Sequence, residues 1–281
     1  MLARMNQANP ARASVDKPAH DASPTDSEGQ TLGFGVDVGG SGIKGAVVDV
    51  STGEFVGDRI KIITPQPATP DAVAQTVAEI VSQAGWTGSV GVTLPSVIID
   101  QVAMSAANID EEWVGTNVHD LFTRHLAPLG SPSIAVLNDA DAAGIAEVAF
   151  GSAQARRGAV LFLTFGTGIG SALLNDGVLV PNTELGHMLI DGVEAEEQAS
   201  SAAKVRDDLS YAQWAKRVDK VLHEYERIFS PTAFVVGGGI SRKSDKWVPL
   251  LTTRAPVHAA QLRNRAGIVG AALAGAGSLA P

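Results

Sequence analysis

GVDVGGSGIKGAVVDV, residues 35–50, is an apolar run that ends in glycines and is followed at once by a second run rich in β-branched residues. Its glycines at Gly40, Gly42 and Gly45 satisfy the G-x-G-x-x-G spacing of a dinucleotide fingerprint, which requires a helix after the turn. The residues from Ile43 to Val50 read as a strand instead, so the dinucleotide reading fails on its own structural condition. A Walker A loop fails as well, because no Gly-Lys-Ser/Thr closes the turn. What remains is a hairpin whose glycine-rich turn lets backbone amides approach an anion, with Lys44 able to add a charge. Asp37 stands at the end of the first strand, where a carboxylate could hold a hydrated Mg²⁺. A tight hairpin that needs glycine for geometry alone fits this segment equally well.

The elements outward from this hairpin set the topology. A third strand follows the Thr52-Gly53 turn pair over Glu54 to Ile63, which predicts a meander. Thr69 then opens a helix with Pro70 in its first position and Ala72, Val73, Val77, Ile80 and Val81 on one face, closed by Gly85. Strands are expected over Ser89 to Pro95 and Ser133 to Asp139, with a helix between Asn117 and His125 and another from Asp139 to Phe150. Residues 158–180 restart the strand, glycine turn and strand order, a weak internal repeat of the opening unit. A long amphipathic helix follows from Tyr211 to Phe229, then a strand over Ala233 to Val236 and a Gly/Ala-rich helix from Arg265 to about Ala276. The pattern predicts an α/β protein of two similar lobes around a cleft. The expected boundaries are a disordered tail over 1–30, a first lobe over 31–141 joined by a terminal helix at 266–278, and a second lobe over 142–265.

Composition supports a packed α/β core. Of 281 residues, 45% are hydrophobic and 18% charged, which excludes a mini-scaffold and global disorder. Aromatics reach only 5% while glycines number 30, so Val, Ile, Leu and Ala must fill the core. The chain has no cysteine, which removes disulfides, thiolate metal sites and cysteine nucleophiles together. A net charge of −9 disfavours broad binding to nucleic acid or acidic membranes, so a polyanion would need a local basic groove. No apolar stretch reaches the roughly 18 residues of a membrane span. The first 30 residues lack the apolar core of a secretory signal, and a cytoplasmic protein is expected.

Other motifs repeat the anion-binding device. Thr164, Gly166, Thr167, Gly168 and Gly170 form a second glycine turn between strands, and Gly237, Gly238 and Gly239 allow a third close backbone approach. Two facing hairpins at a cleft would grip a phosphate chain from both sides. Asn138 and Asp139 end a strand at the carboxyl edge, where α/β sheets place their chemistry. Asp139 is either a general base for a hydroxyl or a helix N-cap, and the two roles are compatible. Glu184 and His187 in TELGHMLID suit a polyhydroxylated ligand better than zinc, which one histidine with scattered carboxylates would hold weakly. Glu196 and Glu197, taken alone, read as a solvated helix face. Basic clusters at Arg156-Arg157 and at Arg242, Lys243 and Lys246 are ordinary loops or a local anion track.

VDVGGSGIK, LNDADAAG, LTFGTGIGSALL, ELGH and VVGGGIS, in that order, resemble the ROK family of sugar kinases, and within it the actinobacterial polyphosphate glucokinase branch with its polyphosphate/ATP-dependent glucomannokinases. The resemblance covers about Gly33 to Ala276 and implies the two-lobed actin-like ATPase (ribonuclease H-like) fold. It implies a hexokinase that moves the terminal phosphoryl group of polyphosphate or ATP to the 6-hydroxyl of glucose, with mannose as a further acceptor and Mg²⁺ as cofactor. By the resemblance, Asp139 is the catalytic base. Asn138, Glu184, His187 and Glu196 (the last in an E-x-x-A-S stretch) bind sugar hydroxyls, with Ser96 and Asn108 beside them. Asp37, Gly39, Gly40, Ser41 and Lys44 correspond to the first phosphate motif and Thr164, Gly166, Thr167 and Gly168 to the second. Gly237, Gly238 and Gly239 lie beside the nucleotide's adenosine. Arg242, Lys243 and Lys246 are the candidate polyphosphate track.

The chain departs from most of the family in having no cysteines between ELGH and the E-x-x-A-S stretch, so the zinc site does not carry over. Repressor members carry an N-terminal helix-turn-helix, for which residues 1–30 are too short and too rich in proline, so no DNA binding is expected. The family resemblance points to a homodimer. Two alternatives stand beside the kinase: an ATP-only kinase for another hexose, and a non-enzymatic sugar sensor.

Overall fold

The structure, a computed structural model, describes residues 31–131 and 133–277. The tail expected over 1–30 lies outside the described residues. The opening meander consists of β1 (Leu32–Gly39), β2 (Gly42–Asp49) and β3 (Glu54–Ile62). It is followed by α1 (Pro70–Gln83), β4 (Val90–Leu94), a small hairpin of β5 (Ile98–Ile99) and β6 (Val102–Ala103), α2 (Val118–Leu126), β7 (Ile134–Asn138) and α3 (Asp139–Phe150). The second half begins with β8 (Ala159–Phe165), β9 (Ile169–Asn175) and β10 (Val178–Val180). Then come the hairpin of β11 (Leu189–Ile190) and β12 (Val193–Glu194), α4 (Ala195–Ala199), α5 (Ser201–Arg206), α6 (Tyr211–Phe229), β13 (Ala233–Gly237), β14 (Val257–Ala259) and α7 (Ala266–Gly275).

The internal repeat is realised as topology. One five-stranded sheet runs β3-β2-β1-β4-β7 and the other β10-β9-β8-β13-β14. In each, an antiparallel three-strand meander is extended by two parallel strands from its first strand. Parallel extension places the carboxyl ends of β1, β4 and β7 together, and those of β8 and β13, which is where such sheets gather ligands.

Apolar faces arrange the layers. Phe34, Val36 and Val92 pack under α1 and α2, and Leu161, Leu163 and Phe165 pack under α6. Between the two sheets, a third cluster joins Ala46 and Val48 of the first to Phe162 and Ala172 of the second through α3 and α7. The approach of α7 to the first sheet requires bare backbone: a Cβ at Gly35 would overlap the Ile268 carbonyl oxygen, and one at Gly91 that of Ala271. The helix α6 shows why its sequence was readable. Trp214, Ala215, Val218, Val221, Leu222 and Tyr225 are buried at helical spacing, and Ser210 and Gln213 form a capping box at its start.

Candidate active site

Two connected chambers open between the sheets. The larger, of about 830 Å³, is lined by both glycine hairpin tips, Gly39, Gly40 and Ser41 on one side and Gly166, Thr167 and Gly168 on the other. Asn108, Asn138, Glu184, His187 and Glu196 complete its polar wall. The smaller, of about 390 Å³, is lined by Asp37, Lys44, Gly237, Gly238 and Gly239, together with Arg59, Lys61, Arg263 and Asn264. Asp139 and Thr164 line both chambers.

The junction is held by the start of α3. Asn138, not Asp139, is the N-cap: its Oδ1 accepts from the backbone amides of Ala140 at 2.8 Å and Asp141 at 3.2 Å. Asp139 therefore takes the first helical position with its carboxylate free of capping duty. Burial and the neighbouring Asp37 carboxylate push its pKa up to about 7. Asp37 itself is tied to Lys44 Nζ at 3.1 Å and receives the Thr93 hydroxyl at 3.3 Å.

The wall of the larger chamber around Glu184 is fixed from behind. Ser171 Oγ donates to the Thr183 carbonyl at 2.6 Å and accepts from the Leu185 amide at 2.9 Å, so both backbone neighbours of Glu184 are pinned. Tyr225 on α6 donates to the Leu185 carbonyl at 2.7 Å. Asn138 Nδ2 lies 3.4 Å from Glu184 Oε1, and burial raises the Glu184 pKa. Glu196 is not on a solvated face: its Oε2 accepts the Ile169 amide at 3.0 Å, in a slot left open by Gly168 and Gly186. Its neighbour Glu197 is exposed.

Some candidates lie elsewhere. Ser96 is 1% exposed and its hydroxyl donates to the Ser105 carbonyl at 2.6 Å, so it supports the chamber from behind rather than facing it. Arg242, Lys243 and Lys246 occupy the 3-10 turn Gly239–Lys246, outside the lining of both chambers, and Lys246 sits 5.4 Å from the Tyr211 ring centroid.

Other residues at the two chambers escaped the sequence reading. Glu194 accepts from His187 Nδ1 at 3.1 Å and raises the His187 pKa, which fixes the imidazole's orientation. Its signal was only a carboxylate seven residues beyond the histidine. Arg59, Lys61 and Arg263 gave no motif at all, although Arg59 and Lys61 alternate with Ile60 and Ile62 along one strand.

A model of the ROK family matches residues 33–200. The polyphosphate glucokinase of Mycobacterium tuberculosis strain H37Rv is 55% identical over 245 residues, covering 87% of this chain and 91% of the relative. The chain belongs to the ROK family. Among solved ROK-like structures, the inorganic polyphosphate/ATP-glucomannokinase of Arthrobacter sp. strain KM superposes with a TM-score of 0.82 at 45% identity, covering 88% of this chain and 99% of that one. The ROK family glucokinase of Streptomyces griseus, solved with glucose and AMPPNP, gives a TM-score of 0.72 at 25% identity, covering 86% and 98%. The ROK fold thus accounts for both sheets and the cleft.

Proposed function

We propose that this ROK protein is a polyphosphate/ATP-dependent glucokinase, transferring a terminal phosphoryl group to the 6-hydroxyl of glucose and, as a second acceptor, mannose. The observation that carries this reading is Asp139, among the described residues the one carboxylate that lines both chambers. The larger chamber offers Asn108, Asn138, Glu184, His187 and Glu196 to a ring of hydroxyls, and the smaller offers cations and bare backbone to a phosphate chain. The names carried by the Mycobacterium and Arthrobacter relatives support the same donors and acceptor.

In this mechanism Asn138, Glu184 and Glu196 orient the sugar so that its 6-hydroxyl meets Asp139. Asp139 accepts the hydroxyl proton as the sugar oxygen bonds to the terminal phosphorus, and the bond to the bridging oxygen of the donor breaks in line. The leaving group is ADP or a polyphosphate one unit shorter. Glycine amides of the two hairpins and Lys44 offset the charge on the transferred group. Asp37 fits a divalent cation, since it faces Asp139 as a second carboxylate whose mutual repulsion such an ion would relieve. Mg²⁺ held there, through water, would neutralise the donor oxygens.

The test is formation of glucose 6-phosphate by purified protein with Mg²⁺ and either long-chain polyphosphate, ATP or no donor, with mannose and fructose as parallel acceptors. Turnover of glucose with polyphosphate and ATP is expected. Turnover with ATP alone would remove polyphosphate from the proposal, and sugar binding without turnover on either donor would replace the kinase with a sensor. The family resemblance also supports a homodimer, which light scattering of the purified protein checks.

A further inference from the structure

Beyond Lys44, the smaller chamber has an outer wall of cations that phosphoryl transfer does not use. Lys44 and Lys61 are Cα partners on adjacent strands, an arrangement of like charges that destabilises a sheet unless an anion lies over it. Lys44 has Asp37 as partner. Among the described residues no carboxylate lies within ion-pair distance of Lys61, Arg59 or Arg263, and the nearby Glu54 is paired with Arg265 instead. The aliphatic stem of Lys61 crosses Gly42, where a Cβ would come within 2.8 Å of Lys61 Cε.

Local backbone irregularities place the other two cations. Gly45 pairs with Ile60 and Val47 with Val56, so Gly57, Asp58 and Arg59 together face the single residue Ala46, and this bulge aims Arg59 into the chamber. Arg263 adopts a left-handed φ of 53°, a conformation that a non-glycine residue holds only where its surroundings impose it. The preceding Leu262 amide is fixed by buried Glu147, whose Oε1 accepts from it at 2.7 Å. Among the described residues that line the chamber, the carboxylates are Asp37 and Asp139, both beside the transfer point.

We propose that Lys44, Lys61, Arg59 and Arg263 form a cation ladder along which a polyphosphate chain leaves the transfer point, and that this ladder sets the preference for polyphosphate over ATP. The inference rests on the donor reading above and replaces the Arg242, Lys243 and Lys246 turn as the track. A nucleotide's charge ends at its triphosphate and gives way to an uncharged base and sugar. Linear polyphosphate stays charged at every unit, so cations beyond the inner phosphates act on polyphosphate with little return for ATP.

The test compares the Arg59→Gln/Lys61→Gln pair with Arg263→Gly, which removes the charge while keeping a residue suited to positive φ. Anisotropy of fluorescently labelled long-chain polyphosphate, titrated at several salt concentrations, reads binding without turnover. The paired variant is expected to raise Kd about tenfold, and the slope of log affinity against log salt should shrink by about 0.7 per charge removed, as for a single-stranded polyanion. In steady state, the ratio of KM for polyphosphate to KM for ATP should rise about fivefold in both variants. The ladder is overturned if neither variant changes polyphosphate affinity or its salt slope, if both donors lose equally, or if the ratio moves only in Arg242→Gln/Lys243→Gln/Lys246→Gln. Salt-dependent binding through the ladder by a protein that makes no glucose 6-phosphate would sustain this inference while refuting the kinase.

Discussion

Asp139 combines two demands in one carboxylate: contact with both chambers and a pKa pushed up to about 7 by burial and by Asp37. Only the deprotonated form accepts a proton, so kcat/KM for glucose should climb roughly tenfold per pH unit below about pH 7 and level above it. A flat profile from pH 5.5 to 8 would remove Asp139 as the base. The same shift acts on folding in the opposite sense. A carboxylate whose folded pKa lies above its ordinary value binds its proton more tightly when folded, so its ionisation lowers stability as pH rises from about 4 through about 7. Asp139→Asn is therefore expected to gain stability over wild type at pH 8, up to about 4 kcal/mol for a shift of this size, and almost nothing at pH 4 in urea melts. Equal effects at both pH values would show that the carboxylate is not desolvated. At this scale the sequence was informative where a side chain's neighbours are close in the chain, as with the strand-to-helix junction at Asn138 and Asp139, although the cap falls to Asn138 and not to Asp139. It was silent where the partner comes from another element, as with Glu196 in its slot against Gly168 and Gly186.

Elements carry those residues to the cleft, and α7 is the most constrained of them. Its carbonyls lie directly on Gly35 and Gly91 of β1 and β4. Gly91→Ala puts a methyl group where backbone already sits and should destabilise the protein by about 3 kcal/mol or more, seen as loss of soluble protein or a large fall in urea midpoint. An unchanged midpoint would mean that α7 does not pack there. Long amphipathic elements such as α1 and α6 were legible because their burial repeats at helical spacing, and both glycine hairpins because an apolar run leads into each glycine turn and another follows it. The two-residue strands β5, β6, β11 and β12 carry no period to read. The break between α4 and α5 arises from Ser200, whose extended backbone and cap to the Ala203 amide interrupt one helical stretch. Arg59 escaped for a related reason, since the bulge in β3 decides which way it points.

For the whole molecule, the net charge of −9 repels a polyanion at long range, and the basic wall of the smaller chamber supplies local attraction. Polyphosphate turnover should therefore fall with rising salt more steeply than ATP turnover, while binding of uncharged glucose stays insensitive. A sugar that contacts both sheets should also stabilise their mutual packing. Glucose at a hundred times its Kd is expected to add about 2.7 kcal/mol, a Tm rise of about 5–10 °C. No shift with saturating glucose would contradict a sugar site in the larger chamber. The doubled topology was legible in outline from the restart at residues 158–180. The sharing of Asp139 between chambers was not, because it depends on how α3 and α7 hold the two sheets face to face.

The most direct measurement is turnover of glucose by Asp139→Asn with polyphosphate and with ATP, alongside its glucose affinity by calorimetry. The structure predicts a fall in kcat of about 10²–10⁴ on both donors, with glucose Kd within about threefold of wild type. A kcat within tenfold of wild type on either donor would contradict the assignment of Asp139 as the point where sugar and phosphate meet.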